Sequence, residues 1–157
     1  MAAIKKILYP TDFSEYSLAA LPYAVNLTQQ NDAELYCLHI VEMPKEEYLI
    51  GEYIVPLDLP HISKDKVIKT ATTRLDKFVN ENLSGVEKLT SKVIIGTPFV
   101  EIIRYAKEQS IDLIVIGTHG HSALATMLLG SVAEKVVRKA PCPVLSIRHP
   151  EHKFEMP

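Results

Sequence analysis

Apolar residues along the chain alternate between short continuous runs and longer stretches with helical spacing. Five short runs are rich in Ile, Val, Leu or aromatic residues and are bounded by Pro, Gly, Asp or Ser, which is typical of β-strands. Ile114, Val115 and Ile116 follow one another directly, as expected of a strand that is covered on both faces. The predicted strands are Ile4–Tyr9, Ala33–Val41, Leu89–Ile95, Leu113–Gly117 and Cys142–Ile147.

Between these strands, apolar residues recur every three or four positions, which predicts four amphipathic helices. Thr97 followed by Pro98 predicts a helix start, and the sequence from Asn82 to Gly85 predicts a helix end. Because strands and helices alternate, the chain is predicted to form an α/β fold, an open doubly wound parallel sheet with helices on both faces. The helical positions are Leu18, Leu21 and Val25, then Ile68, Leu75, Phe78 and Val79, then Ile102, Ile103 and Ala106, then Val132, Val136, Val137 and Ala140.

One connection between a predicted strand and the next helix is unusually long. The segment Glu42–Ile62 is about twenty residues long, whereas a strand and the next helix in such a sheet are usually joined by a handful of residues. It is also strongly apolar, so three hypotheses stay open: a flap over a site, a surface for a protein partner, or a partly disordered excursion. Its apolar residues are Tyr48, Leu49, Ile50, Tyr53, Ile54, Val55, Leu57 and Leu59.

Composition and charge narrow the classes of function. The chain has 17 Lys and Arg against 19 Asp and Glu, and its mean hydropathy is +0.08. This balance argues against electrostatic binding to nucleic acid or to an anionic membrane, both of which require clustered positive charge. No apolar run approaches the roughly 18 residues of a membrane span, and no signal-peptide pattern is present. A soluble cytosolic protein of one domain is expected.

The two cysteines are predicted to be buried apolar residues. Cys37 and Cys142 both lie inside apolar segments, far apart in sequence and without a CxxC or a His pair at zinc spacing. If the first three strands run outward in one direction and the last two in the other, we expect no disulfide between them, because their strands would be three strand spacings apart, about 14 Å.

The chemistry is expected where the connections that follow two neighbouring parallel strands lead to opposite faces of the sheet. If the first three strands run outward in one direction and the fourth returns past the first, a crevice opens between the carboxyl ends of strands one and four, and ligands bind at such a switch point. The residues leaving strand one run from Tyr9 to Ser14, and those leaving strand four run from Gly117 to Ser122.

The segment after strand four is punctuated by glycine in a way that suits phosphate. Gly117 and Gly120 are able to turn backbone N–H groups toward an anion. Gly130 and Ser131 open the next helix, whose first N–H groups are unsatisfied and whose dipole end is positive. These four residues are therefore candidates for a polyphosphate cradle.

Several of these residues have a purely structural interpretation as well. Ser131 and Glu134 have the spacing of a capping box, which needs no ligand to explain it. A capping box does not require a glycine before the serine, so it leaves Gly130 unexplained. Asp12 is placed either to cap the helix that begins near Ser14 or to accept hydrogen bonds from ribose, and position alone favours capping.

The histidines are weaker candidates. His119 and His121 are placed to touch phosphates or transfer protons, although histidines in a polar loop are more often solvated bystanders. His39, near the end of strand two, is interpreted as a packed or capping residue and not as a ligand. The motifs GxxxxGK[ST], GxGxxG after strand one, and GxSxG are all absent, which argues against P-loop NTPases, dinucleotide folds and the nucleophile-elbow hydrolases.

The spacing Gly117-x-x-Gly120-x9-Gly130-Ser131 resembles the GxxGx9G[ST] nucleotide signature of the universal stress protein family. The likeness extends to residues 5–14, which resemble that family's opening strand and loop. It also extends to residues 128–136 and 140–145, which resemble its closing helix and strand. One departure is Ala123, where many nucleotide-binding members carry glycine.

The resemblance implies a five-stranded parallel sheet in the order 3-2-1-4-5, with one domain over residues 1–148 and a short C-terminal tail over 149–157. It implies ATP at the switch point, often with Mg²⁺ or Mn²⁺ on the phosphate oxygens, and a homodimer joined through the strand Cys142–Ile147. Around adenine and ribose it implies Pro10, Thr11, Asp12 and Val41. Around ribose and phosphates it implies Gly117, Gly120, Gly130, Ser131 and Val132, to which the loop adds His119 as a candidate.

Three functions follow as hypotheses. The first is a cytosolic ATP-binding stress-response protein that acts as a nucleotide-dependent sensor or interaction module. The second is an enzyme that consumes ATP, for which the loop offers only His119, His121 and Asp12, so hydrolysis would at most be slow and no catalytic residue is assigned. The third is a protein whose nucleotide pocket is vestigial and whose partner binds the segment Glu42–Ile62.

Overall fold

A computed structural model describes residues 3–43, 47–50, 53–56, 63–119, 129–150 and 156 of the 157. Within these ranges the chain forms seven strands and four helices. The strands are β1 Lys6–Pro10, β2 Glu34–Val41, β3 Glu47–Ile50, β4 Tyr53–Pro56, β5 Leu89–Ile95, β6 Leu113–Gly117 and β7 Val144–Ile147. The helices are α1 Glu15–Gln30, α2 Lys64–Asn82, α3 Pro98–Glu108 and α4 Ser131–Lys139.

Five of the strands build one sheet in the spatial order β5-β2-β1-β6-β7, and all of its pairings are parallel. Counted along the chain, these strands have the order 3-2-1-4-5, so the predicted fold is confirmed. β1 lies at the centre, where Leu8 is opposite Tyr36 of β2 on one side and Ile114 of β6 on the other. The carboxyl ends of β1 and β6 therefore meet at the same edge of the sheet.

Alternate residues of the central strands bury their side chains under two separate helix layers. On one face, Ile7 and Tyr9 pack with Leu75 under α1 and α2. On the opposite face, Leu8 and Ile114 pack under α3 and α4. A fully buried aliphatic side chain stabilises a fold by about 1.5–3 kcal/mol, so these two clusters hold the sheet between the helices.

The amino ends of the strands are fastened by polar contacts. The Asp112 carboxylate accepts the backbone N–H groups of Lys5 at 2.8 Å and Lys6 at 2.9 Å, which joins the start of β1 to the start of β6. Nearby, Lys88 pairs with Asp32, a residue held at φ 49° in the turn between α1 and β2. These contacts lie at the edge of the sheet opposite the switch point.

Both cysteine thiols are free. Cys37 is buried in β2, and Cys142 is half-buried just before β7. β1 and β6 lie between their two strands, which agrees with the expected separation of three strand spacings. Burial raises the pKa of the Cys37 thiol to about 12 and also raises the pKa of the Cys142 thiol, so neither is a reactive thiolate at neutral pH.

The long apolar connection contains a β-hairpin that the apolar pattern did not predict. β3 and β4 pair antiparallel, with Glu47 opposite Pro56 and Ile50 opposite Tyr53. The rest of the connection after residue 43, at 44–46, 51–52 and 57–62, lies outside the described residues. Within the described ranges, no helix combines the length and apolar character needed to cross a bilayer.

Candidate functional site

The loop that leaves β1 is held by Thr11. Its backbone N–H donates to the Leu38 carbonyl at 2.9 Å, and its carbonyl oxygen lies 2.8 Å from Nδ1 of His39. Its hydroxyl accepts the N–H of Phe13 at 3.0 Å and lies 3.1 Å from the Ser17 hydroxyl. Every polar group of this buried threonine is thus engaged within the chain, so Thr11 fixes the shape of the loop.

Asp12 holds the residue that caps α1 and does not cap the helix itself. Its Oδ1 accepts the N–H of Ser14 at 3.0 Å and also the Ser14 hydroxyl hydrogen. Ser14 is the N-cap, since its Oγ accepts the N–H of Ser17 at 3.2 Å. The interpretation of Asp12 as the helix cap is therefore wrong, because the helix begins one residue after Ser14 and not after Asp12.

Phe13 turns the chain between Asp12 and Ser14. Its φ of 63° is unusual for a residue with a side chain and costs about 1–2 kcal/mol. The ring packs 4.3 Å from the imidazole of His39 and 5.3 Å from the ring of Phe78, and the Arg74 guanidinium lies 4.5 Å from its centroid. This packing offsets the backbone strain at Phe13. It also confirms the prediction that His39 is a packed residue.

Gly117, the last residue of β6, lies directly beneath the first turn of α1. A Cβ at this position would lie 2.4 Å from the carbonyl oxygen of Tyr16 and 3.2 Å from the Cα of Ser17. Its φ is outside the left-handed range. The glycine is therefore required by the close approach of a helix to a strand, whatever else it contacts.

Gly130 is the N-cap of α4. Its N–H donates to the Thr118 carbonyl at 2.5 Å, and a Cβ there would lie 2.9 Å from that same oxygen and 3.2 Å from the Cα of His119. The first intrahelical bond runs from the N–H of Glu134 to the Gly130 carbonyl at 2.9 Å. Packing against the end of β6 thus accounts for this glycine, which sequence spacing alone left unexplained.

This geometry overturns the capping-box interpretation of Ser131. Ser131 is the first helical residue, one position too late to be the cap, and it is exposed. Glu134 pairs with Arg138 at 3.3 Å. Among the described residues, no side chain caps α4, so the backbone N–H groups of its first turn are not occupied by a Ser131 hydroxyl.

The structure brings most of the sequence-predicted residues to one edge of the sheet. The N–H of Thr118 donates to the Ile147 carbonyl at 2.9 Å, and its hydroxyl lies 2.8 Å from Nδ1 of His119. Gly120 and His121 lie outside the described residues. The residues at this edge are Pro10, Thr11 and Asp12 after β1, Val41 at the end of β2, Gly117 and His119 after β6, and Gly130, Ser131 and Val132 at the start of α4.

A five-stranded parallel sheet of this order, with a crevice where the strand order reverses, defines the class of open α/β proteins that bind ligands at the switch point. The family model described as the universal stress protein family matches residues 3–148. The chain therefore belongs to the universal stress protein family.

Individual relatives agree with this assignment. The chain is 37% identical over 147 residues to universal stress protein MJ0531 of Methanocaldococcus jannaschii, covering 94% of this chain and 84% of the relative. It is similar in structure to protein MJ0577 of the same organism, with a TM-score of 0.74, 26% identity, and coverage of 99% and 100% of the two chains. A universal stress protein family member from Arabidopsis thaliana, solved with AMP bound, shares the fold at a TM-score of 0.61 and 18% identity, with coverage of 96% of each chain.

Proposed function

We propose that this protein binds ATP at the switch point and acts as a nucleotide-dependent sensor or interaction module in a stress response. The observation that carries the proposal is the start of α4. There a glycine N-cap is hydrogen-bonded to the end of β6, and the first turn of the helix carries no serine cap. A helix N-terminus with this exposure favours an anionic group.

The phosphates are assigned to the start of α4. The backbone N–H groups of Ser131 and Val132 belong to the first turn, whose donors have no intrahelical acceptor. Gly130 brings the β6 loop, with His119, against this turn. The proposed divalent ion, Mg²⁺ or Mn²⁺, would be held by phosphate oxygens and would neutralise part of their charge. Gly120 is included from its place in the sequence signature.

The nucleoside is assigned to the loop after β1. Asp12 lies two residues after β1 and its carboxylate is half-buried, and a carboxylate accepts hydrogen bonds from ribose hydroxyls. Pro10 and Thr11 shape this side of the pocket, and Val41 at the end of β2 lines the adenine side. The AMP bound to the family member from Arabidopsis supports an adenine nucleotide as the ligand class.

The remaining assignments follow the same proposal. The chain forms one domain over residues 1–148 with a short tail, works in the cytosol, and forms a homodimer through residues 142–147 around β7. This strand ends the sheet order, and its Val144, Leu145 and Ile147 are only half-buried within one chain. A protein partner is proposed for the segment 42–62 that contains the β3–β4 hairpin.

The test is calorimetric titration of ATP into nucleotide-stripped protein, with Mg²⁺ or Mn²⁺ present, together with mass spectrometry of any small molecule extracted from the purified protein. Asp12→Asn should weaken ATP and adenosine alike, because ribose is common to both. Asp76→Asn, which changes an exposed aspartate of α2, is the matched control and should bind as wild type. If stripped wild-type protein shows no affinity for ATP, the glycine signature serves only packing and the proposal is wrong.

A further inference from the structure

Three aromatic rings from distant parts of the chain meet beside the proposed phosphate site. Tyr16 belongs to the first turn of α1, His119 follows β6, and His149 lies two residues after β7. The Tyr16 ring centroid lies 5.6 Å from that of His119, at an interplanar angle of 48°. It lies 5.3 Å from that of His149, at 66°. Both distances are within the range of favourable aromatic pairs, and the nucleotide contacts proposed above use neither Tyr16 nor His149.

The backbone fixes where Tyr16 stands. The Tyr16 carbonyl packs against Gly117 so closely that a Cβ would not fit between them. The first turn of α1 therefore cannot move closer to β6 unless β6 moves as well. The N–H of Thr118 donates to the Ile147 carbonyl at 2.9 Å, which sets the ends of β6 and β7 side by side. The two histidines therefore leave neighbouring strands toward the same tyrosine.

His119 in turn contacts the start of α4. Its Cα lies 3.2 Å from where a Cβ of Gly130 would stand, and its Nδ1 lies 2.8 Å from the Thr118 hydroxyl. The same Thr118 accepts the N–H of Gly130 through its carbonyl. The backbone of His119 therefore lies immediately beside the N-cap to which the phosphates are assigned, and its ring lies between Tyr16 and the Thr118 hydroxyl.

We propose that His149 is a positioning residue for phosphate binding. Through the Tyr16 ring it fixes the orientation of the His119 imidazole, whose Cα lies beside the N-cap of α4. This inference rests on the proposed function, because it assigns to His119 a contact with the phosphates of ATP. It adds a residue outside the glycine signature and ties the segment after β7 to the occupancy of the site. An aromatic pair of this kind corresponds to about a 2- to 10-fold change in an equilibrium constant.

The test compares His149→Ala with His149→Phe, which keeps an aromatic ring beside Tyr16. Tyr23→Ala removes an exposed aromatic ring of α1 and is the control. In His149→Ala, ATP affinity should fall about 2- to 10-fold while adenosine affinity stays at the wild-type value, because adenosine has no phosphate. His149→Phe should restore ATP affinity to within about 2-fold of wild type.

A second readout needs no ligand. In ligand-free protein, the ring proton and nitrogen resonances of His119, assigned with His119→Gln, should shift in His149→Ala and return toward the wild-type positions in His149→Phe. Thermal unfolding of each variant shows whether the fold is intact.

Two outcomes would contradict the inference alone: His119 resonances unchanged by His149→Ala in a protein that binds ATP, or equal losses of ATP and adenosine affinity. The absence of ATP binding by wild-type protein would instead refute the proposed function, and with it the phosphate role of His149.

Discussion

Adding one methyl group at Gly117 should destabilise this protein far more than the size of the change suggests. The Cβ of Gly117→Ala would lie 2.4 Å from the Tyr16 carbonyl oxygen and 2.9 Å from its carbonyl carbon. Both atoms belong to helix backbone and cannot rotate away. The first turn of α1 must therefore move until this separation exceeds 3.0 Å, against the packing of α1 on the core.

The expected cost is the upper part of the range for overpacked cores, about 3 kcal/mol, because no flexible side chain is available to absorb the contact. For a chain of this size each kcal/mol lowers Tm by about 2–4 °C, so Gly117→Ala should melt about 6–12 °C below wild type.

Gly85→Ala makes the same chemical change where a Cβ would meet nothing within 4 Å and φ is outside the left-handed range. It should raise the free energy of unfolding by about 0.4–1 kcal/mol, because alanine restricts the unfolded chain.

Urea unfolding followed by circular dichroism measures both variants against wild type. Opposite signs for the two substitutions are expected. If Gly117→Ala unfolds within about 0.5 kcal/mol of wild type, the first turn of α1 does not rest on Gly117, and the placement of Tyr16 above it is wrong.

Three further predictions follow from the caps, the exposed ion pair and the sheet edge. Ser14→Ala should lose about 1 kcal/mol of stability through the lost N-cap, whereas Ser131→Ala should lose less than about 0.5 kcal/mol because Gly130 is the N-cap of α4; urea unfolding compares them. The hydrogen bond from Lys88 lowers the pKa of the Asp32 carboxyl, so this pair stabilises the fold above the unfolded pKa of Asp, about 4, and the contribution is lost as pH falls through the folded pKa. Wild type should therefore lose more stability than Asp32→Asn between pH 7 and pH 3, and equal losses would contradict this sign. If the proposed homodimer forms through β7, wild type should give about twice 17.6 kDa by light scattering and Val144→Lys should give 17.6 kDa; an unchanged dimer would place the interface elsewhere.

The sheet was predictable because its signals are local and strong. The continuous apolar run at 114–116 marks a strand buried on both faces, and β6 lies inside the sheet and is fully buried, as expected. The first and last residues of the strands were harder to predict. The last strand was expected from Cys142 but begins at Val144, because Pro143 has no N–H to donate and contributes only its carbonyl, which accepts the N–H of Ile114. The order 3-2-1-4-5 came from the family resemblance.

The β3–β4 hairpin carried a signal that the apolar count obscured. Two apolar runs, 48–50 and 53–55, are separated by the two residues Gly51 and Glu52, which is the spacing of a two-residue hairpin with glycine first. Because the whole segment is apolar, its pattern predicts one long connection and does not reveal the two short strands inside it.

Around the site, the errors share a cause. The capping-box spacing of Ser131 and Glu134 is local, but the actual cap is set by Gly130 packing on Thr118, a contact between residues 12 positions apart in the sequence. The meeting of Tyr16 with His149 depends on strand order and has no sequence signature at all. Local motifs predicted which residues would reach this edge of the sheet, and tertiary packing decided what each of them contacts.

The fastening of the strands at their amino ends has a consequence for how this scaffold can change. The Asp112 carboxylate and the two backbone N–H groups of Lys5 and Lys6 lie a full strand length, about 16 Å, from the loops at the carboxyl ends. Loops at the carboxyl edge are therefore open to replacement, in evolution or in the laboratory, without loosening the contact that aligns β1 with β6. A chimera that keeps residues 5, 6 and 112 and the two buried helix layers, but takes the loops after β1 and β6 from a relative, should fold and acquire that relative's ligand preference.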